Sequence, residues 1–442
     1  AALYSSTGVN MGGQGALAFW LQEVINAITG NLDKKGGTLV GRGIMDFLRF
    51  GVKKGLLIKD SKSRIGGFSM VNDAFPGGIL ADEILTPGEG QIRGMFITGG
   101  NPLITMAESE KLKTAFEKLD LLVCLDIFQN ETCSVADYVL PCTDPFQRPD
   151  LPFIFPLMLG LQTRPYLQAT EAMVPPQGEQ RDEASIYIAL AKSCGFPLWG
   201  STVAQKFFES LMRFNRLDNG QPTVPQKSML SALLRLCGQQ GFKKLLKNEH
   251  GWLREDHKEN DFLGERVYTD DKKVDLAPDT LVNQVPRLKQ AFSKELNRGD
   301  SFKMITKRAV QTHNSWTHNT DRMLKGSEGT NFLYLHPDDA GKLGLKHGDL
   351  ADVSSSFATI RIPVKHLAEL KPGTVAIPHG WGHQAAKGLG IASKTRGVNV
   401  NLLAGSGPDQ IDPLSGMSKL TALEVSIVAA RGEQAPNWSG IS

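Results

Sequence analysis

The chain has 442 residues, 41% of them hydrophobic and 21% charged, with 49 basic residues set against 46 acidic ones for a net charge of +3. At about 150 residues per domain this length accommodates about three domains, and the near balance of charge excludes an acidic tail protein and gives no global electrostatic case for a nucleic-acid partner. No apolar run reaches the ~18 residues that a membrane-spanning helix needs. The five cysteines, Cys124, Cys133, Cys142, Cys194 and Cys237, show neither a disulfide framework nor the spacing of a zinc ribbon or an iron–sulfur site. Cys124, Cys133 and Cys142 read instead as small buried core residues on successive elements.

Taken in chain order, Thr7 to Gly15 is a glycine-rich loop. Leu17, Trp20, Leu21, Val24, Ile25 and Ile28 then recur at helical spacing until Gly30 stops the run. Residues 51–90 are rich in Gly, Pro and Asp without a steady period and read as long irregular loops. Residues 92–98 form a short, mostly apolar run followed at once by Gly99-Gly100-Asn101-Pro102. A helix is predicted over 107–118, with Leu112, Ala115, Phe116 and Leu119 as its buried stripe. Residues 121–125 are a fully apolar strand that ends at Asp126, 134–137 a single turn, and 138–140 a third strand closed by Pro141. Strand, helix and strand at these lengths make a βαβ unit, with parallel strands and a right-handed crossover. Strands this apolar are covered on both faces, so this part is α/β, a doubly wound and mostly parallel sheet layer.

Residues 145–180 are Pro-rich and extended, and 181–193 form an amphipathic helix ended by Gly195. From 200 to 300 the chain is helical and charged, and the basic and acidic residues between Lys243 and Lys258 read as a solvated face. Beyond 300 the hydrophobic period changes to two. His336-Pro337-Asp338-Asp339-Ala340 opens a one-turn helix, with Pro near its first position and acids in its first turn. Short β runs at 350–354, 358–364 and 374–378 are separated by Ser-rich and Pro372-Gly373 turns, which predicts a C-terminal six-stranded β-barrel. The expected units are an α/β region over 1–195, a mostly helical insert over 196–300 and the barrel over 301–442.

In an open parallel sheet, ligands sit beyond the carboxyl ends of the strands, and two loops meet that description. Gly99-Gly100-Asn101 puts bare backbone N–H groups and an amide just past one strand, a setting for phosphate or a polar heterocycle. Asp126 ends the next strand, where a carboxylate can accept two adjacent N–H donors, the pattern on guanine N1 and N2 or on a ribose diol. A plain turn and a helix cap account for the same residues, and both readings stand at this point. Residues 311–319 contain two His, two Asn and no aliphatic anchor, so they form either a surface loop or a wrap around a polar ligand. His313 and His318 do not have the i, i+4 spacing that would face one metal from a helix. Residues 379–384 and 397–401 are two further polar loops. Three such loops in one β domain favour a large polar ligand over a proton-transfer pair, and no Ser/His/Asp order, Walker motif or full dinucleotide fingerprint is present.

Gly99-Gly100-Asn101-Pro102, followed by Asp126, Thr132, Ala136-Asp137 and Leu140-Pro141, resembles the molybdopterin oxidoreductase family, the dimethyl sulfoxide reductase and formate dehydrogenase group. Gly8-Val9-Asn10, Thr29-Gly30-Asn31 and Gly36-Gly37 resemble the same family upstream. His336-Pro337-Asp338-Asp339-Ala340, Leu343-Gly344 and Gly348-Asp349 are similar to the opening of its molybdopterin dinucleotide-binding domain, and Asn401-Leu402-Leu403 with Asp412-Pro413 to its end. The matches run in order and leave 200–300 unassigned.

The resemblance implies bis-molybdopterin guanine dinucleotide with Mo or W, used for two-electron or oxygen-atom chemistry. Gly100 and Asn101, beside Gly99, would contact one dinucleotide, and Asp126, with Thr132 in the same loop, would read its guanine. His313, Trp316 and His318 would approach a pterin or its pyrophosphate. His379, Gly380, His383 and Asn401 would hold the cofactor from the barrel side, and Asn10 and Gly13 would line the pterin region, although Met11 stands where a polar residue is common. Catalytic subunits of the family carry a four-cysteine iron–sulfur domain and then a Cys, selenocysteine, Ser or Asp metal ligand, and no four-cysteine motif occurs in these 442 residues. The chain is therefore expected to be the C-terminal portion of a larger subunit, with the metal ligand upstream of Ala1 and no ligand among the five cysteines. The iron–sulfur cluster is expected in that missing N-terminal part or in an electron-transfer partner subunit. The alternative is a non-catalytic structural or electron-transfer-complex subunit that keeps the fold without the metal. The retained polar loops argue against it, since an empty site tolerates apolar filling.

Overall fold

Residues 1–45, 58–71, 73–326 and 329–431 are described in this computed structural model. The glycine-rich start leads into α1 (Gly15–Ile28), which ends before Gly30 as its periodicity predicts. A three-stranded parallel sheet then places β1 (Gly94–Thr98), β2 (Leu121–Asp126) and β3 (Tyr138–Pro141) side by side in that order. Successive side chains of a strand face opposite sides. Leu122 accordingly packs with Ala81 and Ile84 of α2 (Leu80–Leu85) and with Leu112 and Phe116 of α3 (Ser109–Phe116). Val123 and Leu125 pack with Ile186 and Leu190 of α4 (Glu183–Ser193) on the other side. Helices cover both faces, which is why the central strand is apolar along its length. The start of α4 is set by Asp182, whose carboxylate accepts from the Ser185 N–H at 2.9 Å and from the Ser185 hydroxyl at 2.6 Å.

The stretch 51–90 differs from its expectation. It contains a short hairpin of Ile58–Lys62 with Ser69–Val71 and the helix α2, while 51–57 and 72 lie outside the described residues. With six residues α2 is too short to show a period, and burial of Ala81 and Ile84 against α3 makes it helical. Between the layer and the barrel lie α5 (Thr202–Phe214), α6 (Gln226–Leu236) and α7 (Pro286–Leu296). Leu234 of α6 joins Leu151, Leu157, Leu167, Phe242 and Leu245 in a separate apolar cluster. Among the described residues, no helix is long and apolar enough to cross a membrane.

Six strands close into a barrel. They are β4 (Phe302–Lys307), β5 (Leu333–Leu335), β6 (Leu350–Ser354), β7 (Thr359–His366), β8 (Thr374–Pro378) and β9 (Leu423–Ala429). Their order round the barrel is β6-β7-β5-β8-β4-β9, with β9 pairing back to β6. Met304, Leu333, Val353, Ile362, Val364, Val375 and Ile377 fill the interior, and closure leaves no edge strand open. The helix Pro337–Leu343 starts as predicted, with the His336 ring accepting from the Asp338 N–H at 3.1 Å. Its buried Asp339 accepts from the Gly373 N–H at 2.6 Å, tying the helix to the turn before β8.

Buried Asn331 pins the barrel to its loops. Its amide donates to the carbonyls of Pro378 and Val398, both at 2.9 Å, and accepts from the Val398 N–H at 2.9 Å. Truncation leaves three backbone groups without partners in a dry place, so Asn331→Ala is expected to cost about 3 kcal/mol. The shift in the chemical-denaturation midpoint measures it, and a midpoint equal to wild type would refute this role.

Candidate functional site

The site forms where β1 and β2 end. After Thr98, Gly99 takes φ +58°, the left-handed turn in which glycine carries no Cβ penalty, and its N–H donates to the Leu125 carbonyl at 2.8 Å. A Cβ built on Gly99 would meet nothing within 4 Å, so the backbone there faces open space. Asp126, at the end of β2, accepts from the Phe128 N–H at 3.0 Å and from the Asn130 amide at 3.1 Å. An ionised carboxylate offers about four lone-pair sites, so capacity remains for further donors. Burial raises its pKa above the ordinary carboxylate value, against the opposing pull of the hydrogen bonds from Phe128, Ile127 and Asn130.

These residues line a cleft of about 500 Å³ between the sheet layer and the barrel, a volume within the range of small-molecule and cofactor sites. Gly99, Gly100, Asn101, Asp126 and Phe128 form one wall, and His313 and Trp316 of the polar barrel loop form the other. The indole of Trp316 is 47% exposed and stands edge-on to the His313 ring at 6.2 Å between centroids. Arg148 and Glu183, paired at 2.8 Å, close a third side.

Six of the predicted site residues therefore meet at one cleft: Gly99, Gly100, Asn101, Asp126, His313 and Trp316. Six others stand behind its walls. Thr132 donates its hydroxyl to the Asn101 side-chain oxygen at 2.9 Å. His318 and His383 are fully buried, with His318 Nδ1 3.1 Å from His383 Nε2. Nδ1 of His383 donates to buried Glu131 at 2.9 Å. His379 lies 3.0 Å from the Lys307 carbonyl and 3.2 Å from the Asn314 side-chain oxygen. Gly380, at φ +91°, lets the chain press against the same loop, because a Cβ there would fall 2.9 Å from the Asn314 carbonyl. Asn401 is buried and donates to the Ile104 carbonyl at 2.8 Å, joining barrel to layer.

The last two predicted residues are elsewhere. Gly13 lines a separate cavity of about 790 Å³ with Arg287, Lys294, Lys303 and Lys419. Asn10 ends the short helix Thr7–Asn10, and its backbone packs on Gly15. Sequence reasoning missed Asn130 and Glu131, although both lie in the loop that Asp126 opens. It also missed Arg148, which carries no pattern signal, and Glu183, whose only signal is the start of α4. Among the described residues, no group of three or more His, Cys, Asp or Glu is placed to hold a metal ion.

Comparison with known proteins bears on this geometry. Residues 1–193 match the family model described as Molybdopterin oxidoreductase, and residues 302–423 the Molydopterin dinucleotide binding domain. The chain belongs to the molybdopterin oxidoreductase family. Among its relatives, trimethylamine-N-oxide reductase of Haemophilus influenzae is 23% identical over 336 residues, covering 70% of this chain and 39% of that protein. The alpha subunit of the F420-dependent formate dehydrogenase of Methanocaldococcus jannaschii is 25% identical over 306 residues, covering 68% and 40% respectively. Acetylene hydratase from Pelobacter acetylenicus has the same fold, with a TM-score of 0.60 at 20% identity over 79% of this chain and 46% of that one. The chain thus spans under half the length of these relatives.

Burial, reinforced by the neighbouring His383 and His379, pushes the pKa of His318 down to about 3. Between about 6.5, the ordinary histidine value, and about 3, the unfolded chain binds a proton at His318 that the folded chain does not. Stability from this group is therefore complete above pH 6.5 and declines as pH falls through that window, by up to about 1.4 kcal/mol per pH unit. Denaturation midpoints measured from pH 7 to 4 should show this slope, and His318→Phe should flatten it. An unchanged slope in the variant would contradict the assignment.

Proposed function

We propose that the cleft holds the guanine end of a molybdopterin guanine dinucleotide, and that the chain is the cofactor-holding part of a molybdenum or tungsten oxidoreductase. The observation that supports this best is the meeting, at one cleft, of the open Gly99-Gly100 backbone, the Asp126 carboxylate and the exposed face of Trp316. The residues present fit the group. A carboxylate with spare acceptor capacity suits the N1–H and N2–H of guanine, an aromatic face suits a flat heterocycle, and a bare backbone turn allows close approach of a ribose or phosphate.

When bound, the cofactor supplies metal-held two-electron redox or oxygen-atom chemistry. The chain's own residues bind and orient it. Asp126 selects the base, Trp316 and His313 form the opposite wall, and the buried His318 and His383 keep that wall in place. The cavity at Gly13, where five basic side chains outnumber Glu295 and Glu424, suits the anionic remainder of a second dinucleotide. Polar lining in the Asp126 cleft favours a ligand-holding chain over a relative that has lost the cofactor. Two relatives, a formate dehydrogenase chain and a tetrathionate reductase chain, are named as single subunits of their enzymes. They support placing this chain in a multi-subunit assembly, for which we propose an iron–sulfur electron-transfer subunit as the partner. Within the chain we assign 1–195 and 301–442 to cofactor binding and 196–300 to a helical insert.

Isothermal titration of the cofactor-free full-length protein with GMP and AMP tests the reading. Wild type should prefer GMP, and Asp126→Ala should lose that preference at a cost of about 1.5–3 kcal/mol, the usual worth of hydrogen bonds to a charged group. Because binding needs the ionised carboxylate and burial raises its pKa, GMP affinity should fall on acidification with a midpoint above the value of about 3.9 for a free aspartate. Equal binding of GMP and AMP by wild type would sink the proposal.

A further inference from the structure

Glu131 belongs to none of the sequence motifs, yet it is 4% exposed and lies between the two walls of the cleft. One carboxylate oxygen accepts from the Asn101 amide at 2.6 Å, and the other from His383 Nδ1 at 2.9 Å. The first bond fixes the Gly99-Gly100-Asn101 turn. Asn101 is held from its other side as well, since its side-chain oxygen accepts the Thr132 hydroxyl, and that hydroxyl accepts the Leu103 N–H at 3.2 Å.

The second bond reaches into the barrel. Nε2 of His383 lies 2.8 Å from the Gly380 carbonyl and 3.1 Å from His318 Nδ1. His318 closes the loop that carries His313 and Trp316, through its N–H to the Ser315 carbonyl at 3.2 Å. The chain Asn101–Glu131–His383–His318 therefore runs from one wall to the other without an exposed member along its buried part. A buried carboxylate is expensive to leave unpaired, and here both of its oxygens are used on residues that shape the cleft. Removing the carboxylate breaks both of these bonds at once.

We infer that Glu131 is a positioning residue that sets the separation of the two cleft walls, Gly99–Asn101 on the layer side and residues 313–318 on the barrel side. Its effect on guanine recognition rests on the reading of the cleft as a guanine site. The geometry also distinguishes replacements. The amide of Glu131→Gln can accept from Asn101 and donate to His383 Nδ1, whose proton then sits on Nε2 facing Gly380. Both ties survive in neutral form. Glu131→Asp is one methylene shorter and cannot span both partners, and Glu131→Ala makes neither bond. Glu108 gives a control, because its carboxylate also joins layer to barrel, through the Ser406 N–H at 2.9 Å and hydroxyl at 2.7 Å, but away from the cleft.

The test is GMP titration of the cofactor-free full-length protein, together with backbone hydrogen exchange of the same samples. Glu131→Ala and Glu131→Asp should weaken GMP binding about ten-fold or more and speed exchange at both 99–101 and 313–318. Glu131→Gln should stay within about three-fold of wild type, the rescue that charge-independent positioning requires. Glu108→Ala should lower the melting temperature without moving GMP affinity. If Glu131→Ala fails to fold, the contrast between the Asp and Gln replacements decides. Wild-type GMP affinity in Glu131→Asp with unchanged exchange at 313–318, or a Gln replacement as weak as Asp, would overturn the inference. A wild type that fails to bind GMP while the Asp replacement speeds exchange at both walls would overturn the guanine reading and leave the positioning role standing.

Discussion

The cleft exists because the loops of a closed barrel are held by buried hydrogen bonds against the carboxyl ends of a parallel sheet. Neither part makes the site alone. The sheet supplies a turn and a carboxylate that face outward, and the barrel supplies an aromatic loop with only a short 3₁₀ turn to stiffen it. Apolar contact between the two would be non-directional and would leave their separation loosely set. The ties across this junction are instead polar and directional. Asn399 and Asn401 donate to the carbonyls of Leu103 and Ile104, at 3.2 and 2.8 Å. Gly388 donates its N–H to the Gln129 carbonyl at 3.0 Å. The two asparagine amides are buried and costly to leave unpaired, so the wrong relative placement of the two parts is penalised.

That arrangement explains what could and could not be read from the sequence. The sheet was legible because β2 is buried on both faces and shows it as a continuous apolar run, while the helix between β1 and β2 shows its stripe. The barrel was legible from its turns and its period of two, and Gly99, Asp126, His313 and Trp316 from their places at strand ends and in polar loops. The helix α2 was not legible, since six residues carry no period and its conformation comes from packing on α3. Nor could polarity show that His318 and His383 lie behind the cleft wall instead of in it. The partner that satisfies His383 is Glu131, 252 positions away in the chain, and no local pattern carries that pairing.

The two histidines also show how burial changes the meaning of a polar loop. An exposed His318 would titrate near neutral pH and could answer a ligand's charge. Packed against Trp381 at 4.5 Å between ring centroids and held beside His383, it keeps a neutral ring, and its contribution is shape. The same logic separates Asp126 from Glu131. Both are acidic residues in one loop, but Asp126 keeps lone pairs open to the cleft, whereas both oxygens of Glu131 are already engaged by Asn101 and His383.

A site built this way places recognition on few atoms and geometry on many. Asp126 can discriminate between bases only if the opposite wall stands at a fixed distance, because a donor pair displaced by about 1 Å from a carboxylate loses most of its directional benefit. Trp316 is half exposed and its loop has only a short 3₁₀ turn, Trp316–Asn319, so that distance cannot come from the loop itself. It comes from the buried residues beneath it, which carry the loop's position back to the strand that ends in Asp126. On the guanine reading of the cleft, the polar residues hidden behind it set the position from which the Asp126 carboxylate would select the base.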